Sequence, residues 1–153
     1  MMKRVDLCVI AVVAPVKIGV YENGSLIATH SDERPASESL PEMLEACLHR
    51  YAIERIIFVR GPGSFMAIKV AYVTLRTLSL VKEIPLWGMD AFACNGGTPV
   101  RATGQSMFIK EGGEIRIVPN EQKRAFEPLT LPSVLQEDLL SQDIEPLYIL
   151  PAI

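Results

Sequence analysis

The sequence has 153 residues, a size at which a single domain can bury its own core. With 49% hydrophobic and 22% charged residues it is too apolar for a disordered chain. Its net charge of −3, without any cluster of Lys and Arg, argues against direct binding of nucleic acid.

No membrane contact is expected, because the longest apolar run, residues 7–16, is well short of the roughly 20 residues that a membrane span needs. The basic pair at Lys3 and Arg4 is followed by Asp6 and not by a small-residue cleavage site, so secretion is not expected either. These features predict a cytoplasmic protein.

The potential metal ligands are few and scattered. Three cysteines, widely spaced and in apolar surroundings, predict reduced core thiols rather than a disulfide framework or a zinc site, at Cys8, Cys47 and Cys94. His30 and His49 have no second ligand at metal-binding spacing. The sequence therefore predicts no metal site and no catalytic residue.

The first 30 residues predict three strands, at 5–13, 16–21 and 26–30, with a tight turn at Asn23-Gly24 between the last two. Residues 39–42 resemble a capping box, in which Ser39 begins a helix and Glu42 reaches back to it. The predicted first helix has apolar residues at helical spacing along one face, namely Leu40, Met43, Leu44, Cys47, Leu48 and Tyr51.

A strand at 55–59, a turn at 60–64 and a helix from Phe65 to about Lys82 are predicted next. A strand at 84–89 follows, with Asp90 as the cap of a short helix that ends at Cys94. The order to this point is βββαβαβα.

Beyond residue 98 the pattern weakens. Segments 106–110 and 114–118 predict a hairpin, and 132–140 predicts a helix. We interpret residues 1–98 as one lobe and 99–153 as a shortened second lobe with a C-terminal tail.

The second helix is apolar on more than one side. Its predicted sheet-facing residues are Ala67, Val70, Ala71, Leu75, Leu78 and Val81. The opposite stripe carries Lys69, Arg76 and Glu83, and it is flanked by further apolar residues at Phe65, Tyr72, Val73 and Leu80. Either the first helix covers this side or another protein does.

The turn before this helix contains Gly61, Gly63 and Ser64, which could contact a phosphate through backbone N–H groups at the helix start. It matches neither a Walker loop nor G-x-G-x-x-G, so glycines that simply permit a tight turn are the favoured interpretation. Phosphate contact by these three residues is the alternative.

A three-strand meander followed by αβα is the half-fold shared by ribonuclease H, actin, Hsp70 and sugar kinases (the ASKHA group), with a mixed sheet. Enzymes of that group require an acidic residue on the first strand to hold Mg²⁺ or activate a nucleophile. Here residues 7–13 are apolar and Asp6 lies too early. The sequence therefore predicts a protein without phosphoryl-transfer or nuclease activity of its own.

Residues 60–65, Arg-Gly-Pro-Gly-Ser-Phe, resemble the TsaB (YeaZ) family, whose hallmark is G-R-G-P-G-S-F-T-G-[LV]-R-[IV]-G. Lys69 stands where that family has Arg, and Pro85 and Gly88 match its P-x-x-G strand. Residues 145–149 resemble its E-P-x-Y-[LV] ending. The family's first-strand I-D-T motif and its helix glycines are missing, with alanine at positions 67 and 71.

The resemblance implies a non-catalytic subunit, a pseudoenzyme that forms a heterodimer with the catalytic TsaD-type subunit. That complex makes threonylcarbamoyladenosine next to the tRNA anticodon, with help from a TsaE-type ATPase. ATP and a metal are then expected on the partner subunits, and no cofactor on this chain. The chain is expected to contact tRNA only indirectly. When the chain is alone, it could form a homodimer.

The expected partner-binding residues lie on the two helices: Leu44, Leu48, Tyr51, Phe65, Lys69, Tyr72, Val73, Arg76 and Leu80. The alternative function is a nucleotide-dependent kinase or acyltransferase of the ASKHA group.

Overall fold

The computed structural model describes residues 1–149. The strands are β1 (Lys3–Ile10), β2 (Val16–Glu22), β3 (Ser25–Asp32), β4 (Tyr51–Val59), β5 (Leu86–Met89), β6 (Val100–Arg101), β7 (Ser106–Glu111) and β8 (Glu114–Pro119). The α-helices are α1 (Ala36–Arg50) and α2 (Phe65–Lys82), and short 3₁₀ turns lie at Ala91–Cys94 and Glu137–Leu139. In this part of the chain no helix is both long and apolar enough to cross a membrane.

The main sheet has the strand order β3-β2-β1-β4-β5. Strands β1, β2 and β3 are antiparallel neighbours, whereas β4 runs parallel to both β1 and β5. The predicted meander and the mixed sheet are thereby confirmed. Strands β6, β7 and β8 form a second, antiparallel sheet, which includes the predicted hairpin.

Helices α1 and α2 pack against each other and on one face of the main sheet. Alternation along the strands divides the sheet residues between its two faces. Phe58 points toward α2, where its ring lies 5.9 Å from that of Tyr72, while Arg55 points to the opposite face and contacts Glu137 of the tail.

The opposite face is covered by residues 128–149, which we call the tail strap. Three of its leucines, Leu129, Leu135 and Leu140, are buried in the core. The Tyr21 hydroxyl of β2 donates a hydrogen bond to the carbonyl oxygen of Pro132, 2.7 Å away. The strap therefore supplies the second hydrophobic layer that the sheet requires.

The strap is extended, so the predicted helix at 132–140 is wrong; only Glu137–Leu139 forms a 3₁₀ turn. Its backbone instead bonds to the β2–β3 hairpin, with Leu26 N–H to Ser133 O and Leu135 N–H to Gly24 O, at 2.9 and 2.8 Å. These long-range bonds satisfy the backbone groups that a helix would have paired locally.

The predicted capping box is also wrong. Helix α1 begins at Ala36 after Pro35, and Ser39 is fully buried, with its hydroxyl donating to the Pro35 carbonyl at 3.1 Å. Glu42 pairs with Arg34, which also binds Asp32, so an ion network brackets the helix start.

Several boundaries differ from the prediction. Strand β1 ends at Ile10 and not at residue 13, because the chain must reverse between β1 and the antiparallel β2. Tyr51 is extended and begins β4 beside Lys3, so it is not part of α1. Asp90 caps the 3₁₀ turn as predicted, accepting from the N–H of Ala93.

Candidate protein-binding surface

Helix α2 follows directly from the turn at residues 60–64. The Ser64 side chain accepts a hydrogen bond from the N–H of Ala67 at 3.4 Å, which caps the helix. At the other end Glu83 is left-handed, with φ 55°, and its N–H returns to the carbonyl of Ser79. These two caps define α2 with the bounds that the sequence predicted.

One face of α2 is buried on the sheet, along Ile68, Ala71, Leu75 and Ser79. Ala71 and Leu75 were predicted there. Val81 was predicted there too, but it is 71% exposed, and Ile68, which the prediction omitted, is 1% exposed. The buried face is therefore rotated from the predicted one.

The opposite face of α2 carries an apolar stripe, which we define as Met66, Val73, Leu80 and Val81. Their exposed fractions are 61%, 53%, 62% and 71%. The first three recur every seven residues, which aligns them along one side of the helix. Helix α1 packs on α2 but does not cover the stripe, so within residues 1–149 this side faces solvent.

The predicted partner-binding residues on α1 lie largely in the core. Leu44 is 3% exposed, Tyr51 is 8% exposed on β4, and Leu48 is half-buried. Their side chains support the packing of α1, so any contact they make with a partner would have to be through a small exposed edge.

The predicted residues on α2 are more accessible. Val73, Leu80 and Lys69 are exposed, whereas Arg76 is half-buried. Phe65 is 51% exposed, and its ring packs at a tilt against that of Tyr148 in the tail strap, with centroids 4.6 Å apart. Tyr72 is half-buried against Phe58. Tyr72 and Phe65 therefore both contact other parts of this chain.

Met66 and Val81 belong to the stripe but were missing from the sequence-based set. The signal for Met66 was present, because it lies seven residues before Val73 and fourteen before Leu80. Next to Met66, a groove of about 300 Å³ separates the start of α2 from the start of α1, lined by Val13, Ala36 and Val70 among others. The stripe thus continues into a concave apolar surface.

The glycines of the turn are explained by close packing. A Cβ on Gly63 would lie 2.9 Å from Cβ of Val12. Gly61 has φ +119°, and a Cβ there would lie 2.9 Å from Cδ1 of Ile68. This geometry supports the interpretation of the turn as a structural one, and phosphate contact by Gly61, Gly63 and Ser64 stays a prediction.

Asp6, the acidic residue of β1, is committed to an ion pair. Its carboxylate accepts from Arg55 Nε at 2.9 Å, and the same guanidinium contacts Glu137 of the tail strap. Burial raises the pKa of Asp6, and the hydrogen bond from Arg55 opposes that rise. Among residues 1–149 no group of three or more His, Cys, Asp or Glu side chains is arranged to hold a metal ion.

The strand order, the parallel β1–β4–β5 arrangement and the helices on one face define the class of the chain as an ASKHA-like half-fold. No protein-family model matches the sequence, and neither does any curated protein sequence.

Among solved structures, the fold matches YeaZ from Pseudomonas aeruginosa with a TM-score of 0.58 and 17% identity, over 77% of this chain and 65% of that one. An uncharacterized protein described as similar to peptidase YEAZ from the same organism matches with a TM-score of 0.56 and 16% identity, over 80% of this chain and 68% of that one. The predicted likeness to the TsaB (YeaZ) family is confirmed at the level of the fold, and the chain spans about two thirds of the YeaZ length.

Proposed function

We propose that this chain is a TsaB-type accessory subunit that binds a TsaD-type catalytic subunit through α2. The observation that carries the proposal is the apolar stripe, exposed on a helix of a YeaZ-like fold. In this role the chain supports N6-threonylcarbamoylation of the tRNA adenosine next to the anticodon without catalysing it.

The energetics favour coverage of the stripe by a partner. Fully burying one such aliphatic side chain stabilises an assembly by on the order of 2 kcal/mol. The stripe contains four of them within sixteen consecutive residues, Met66 to Val81. Exposed apolar residues that line up along one face of a helix are a surface that a protein partner can cover.

A supporting role fits the chemistry of β1. An ASKHA kinase or acyltransferase needs an acid on this strand that is free to serve a metal or a nucleophile. Asp6 is held instead by Arg55, whose guanidinium also binds the tail strap. As part of this proposal, ATP and the metal belong to the partner subunits, which include a TsaE-type ATPase. The complex is cytoplasmic, and this chain contacts tRNA only indirectly.

Association with the partner tests this function. The purified chain, mixed with the TsaD-type subunit of the same organism at micromolar concentration, should elute as a heteromeric peak in size-exclusion chromatography with light scattering. Two separate peaks with the masses of the isolated subunits would contradict the proposal.

A further inference from the structure

The charges on α2 are all of one sign. Between Phe65 and Lys82 the helix contains Lys69, Arg76 and Lys82 and no acidic residue. The whole chain carries −3, so the remainder carries six more negative than positive charges. Helix α2 is therefore a basic element on an otherwise acidic protein.

Two of these cations form a row beside the apolar stripe. Lys69 lies three residues after Met66 and four before Val73, and Arg76 lies three after Val73 and four before Leu80. Residues at these spacings are neighbours on a helix surface. The result is an apolar line with a parallel basic line on one flank.

Neither cation is neutralised within the described part of the chain. The ion pairs of residues 1–149 engage Arg34, Arg55, Arg60 and other basic side chains, but not Lys69 or Arg76. Arg76 is half-buried already, and covering the stripe would remove more water from its guanidinium. A buried charge is tolerated only when it is paired, so a surface that covers α2 must supply acceptors there.

We infer that the occupant of the stripe is an apolar surface edged by carboxylates that pair with Lys69 and Arg76. The inference rests on the proposed function and specifies the chemistry of the TsaD-type face that binds α2. A second copy of this chain fits less well, because stripe-to-stripe contact would bring the Lys69 and Arg76 rows of two helices together, and the acidic residue nearest to that row, Glu83 at the C-cap, lies seven residues beyond Arg76.

Charge reversal tests the inference. The double variant Lys69→Glu/Arg76→Glu should bind the TsaD-type subunit roughly tenfold or more weakly than the unaltered chain, with slower association because the charges are reversed and faster dissociation because the pair made by Arg76 would be buried. Unaltered binding should weaken as ionic strength rises, because salt screens the attraction, whereas binding of the double variant should strengthen, because the same screening then weakens a repulsion between like charges. The matched control Arg4→Glu/Lys123→Glu changes the net charge equally at two exposed cations outside α2 and should bind normally.

The outcomes separate the two proposals. If the unaltered chain binds and the Lys69→Glu/Arg76→Glu variant, folded by circular dichroism, binds equally well at every ionic strength, the acidic-edge inference is wrong and the proposed function stands. If the unaltered chain does not bind the TsaD-type subunit, both fail. A homodimer that Val73→Asp dissociates and that persists when the TsaD-type subunit is added would also overturn the inference, because the stripe would then belong to a second copy.

Discussion

The Val73→Asp variant is expected to lose association with the TsaD-type subunit. Val73 lies at the centre of the apolar stripe and is 53% exposed, so the substitution leaves the core intact. In the complex it would place a carboxylate among aliphatic side chains, which costs up to several kcal/mol, and it would occupy Lys69 and Arg76, which lie four residues before and three after it on the same helix. Because each 1.4 kcal/mol is tenfold in affinity, we expect a loss of at least about 100-fold by calorimetry.

The matched control is Ile27→Asp on β3, an exposed apolar residue, at 42%, outside the helical face. It should bind as the unaltered chain does, and both variants should keep their melting temperature within a few degrees. If the Val73→Asp variant binds the TsaD-type subunit with unaltered affinity, the stripe is not part of the interface. Tyr72→Glu is a poorer test, because Tyr72 packs against Phe58 and its loss would disturb the fold.

The Gly88→Ala variant is expected to loosen the tail strap. The added methyl group would overlap the backbone oxygen of Asp143 and lie 2.5 Å from Cδ of Arg60. Gly88 also exchanges two backbone hydrogen bonds with Ser141, at 2.7 and 2.8 Å. Overpacking of this kind costs about 1–3 kcal/mol, and we expect a fall of several degrees in melting temperature with faster proteolysis of the strap.

Gly112→Ala in the β7–β8 turn is the control, because it replaces a glycine by alanine at a site where the added methyl group meets no other atom. Its Cβ would meet nothing within 4 Å, and only its positive φ of 56° opposes the change. It should lower stability by about 1 kcal/mol and leave the proteolysis of the strap unchanged. Equal effects of the two variants on proteolysis would contradict the proposed packing of Asp143 on Gly88.

Local chemistry made much of the first 98 residues predictable. The Asn23-Gly24 turn lies between β2 and β3 as expected, and Asn23 adopts the positive φ that this turn demands. Ser64 and Asp90 cap the elements that follow them, for the same reason that short polar side chains favour helix starts.

The strap was not predictable from local pattern, because its hydrogen bonds to the sheet join residues far apart in the sequence, 111 positions in the case of Tyr21 and Pro132. The predicted cap at Ser39 was wrong for a related reason. It has the composition of a cap, but burial and a bond to Pro35 place it inside the first turn of α1.

The candidate surface was predictable in kind but not in detail. An apolar residue on every side of α2 indicates that something besides the sheet must cover it, yet it weakens the periodic signal that tells which side faces the sheet. That is why Val81 was assigned to the sheet while Ile68 was overlooked. The packing of α2 against the sheet and α1 determines which side of α2 is buried. The residue pattern of α2 alone contains no information about those neighbours.

A thiol footprint at Val73 shows whether the TsaD-type subunit covers the apolar stripe of α2. The native cysteines are at most 3% exposed, and burial raises the pKa of all three thiols, that of Cys94 to about 12, so they should resist modification. Val73→Cys should therefore be the one rapidly labelled site in the free chain, and mass spectrometry should show it protected once the TsaD-type subunit is added, while Ile27→Cys stays reactive. Labelling of Val73→Cys at the same rate in the free chain and in the complex would mean that the stripe stays exposed when the TsaD-type subunit is bound, and that α2 does not bind it.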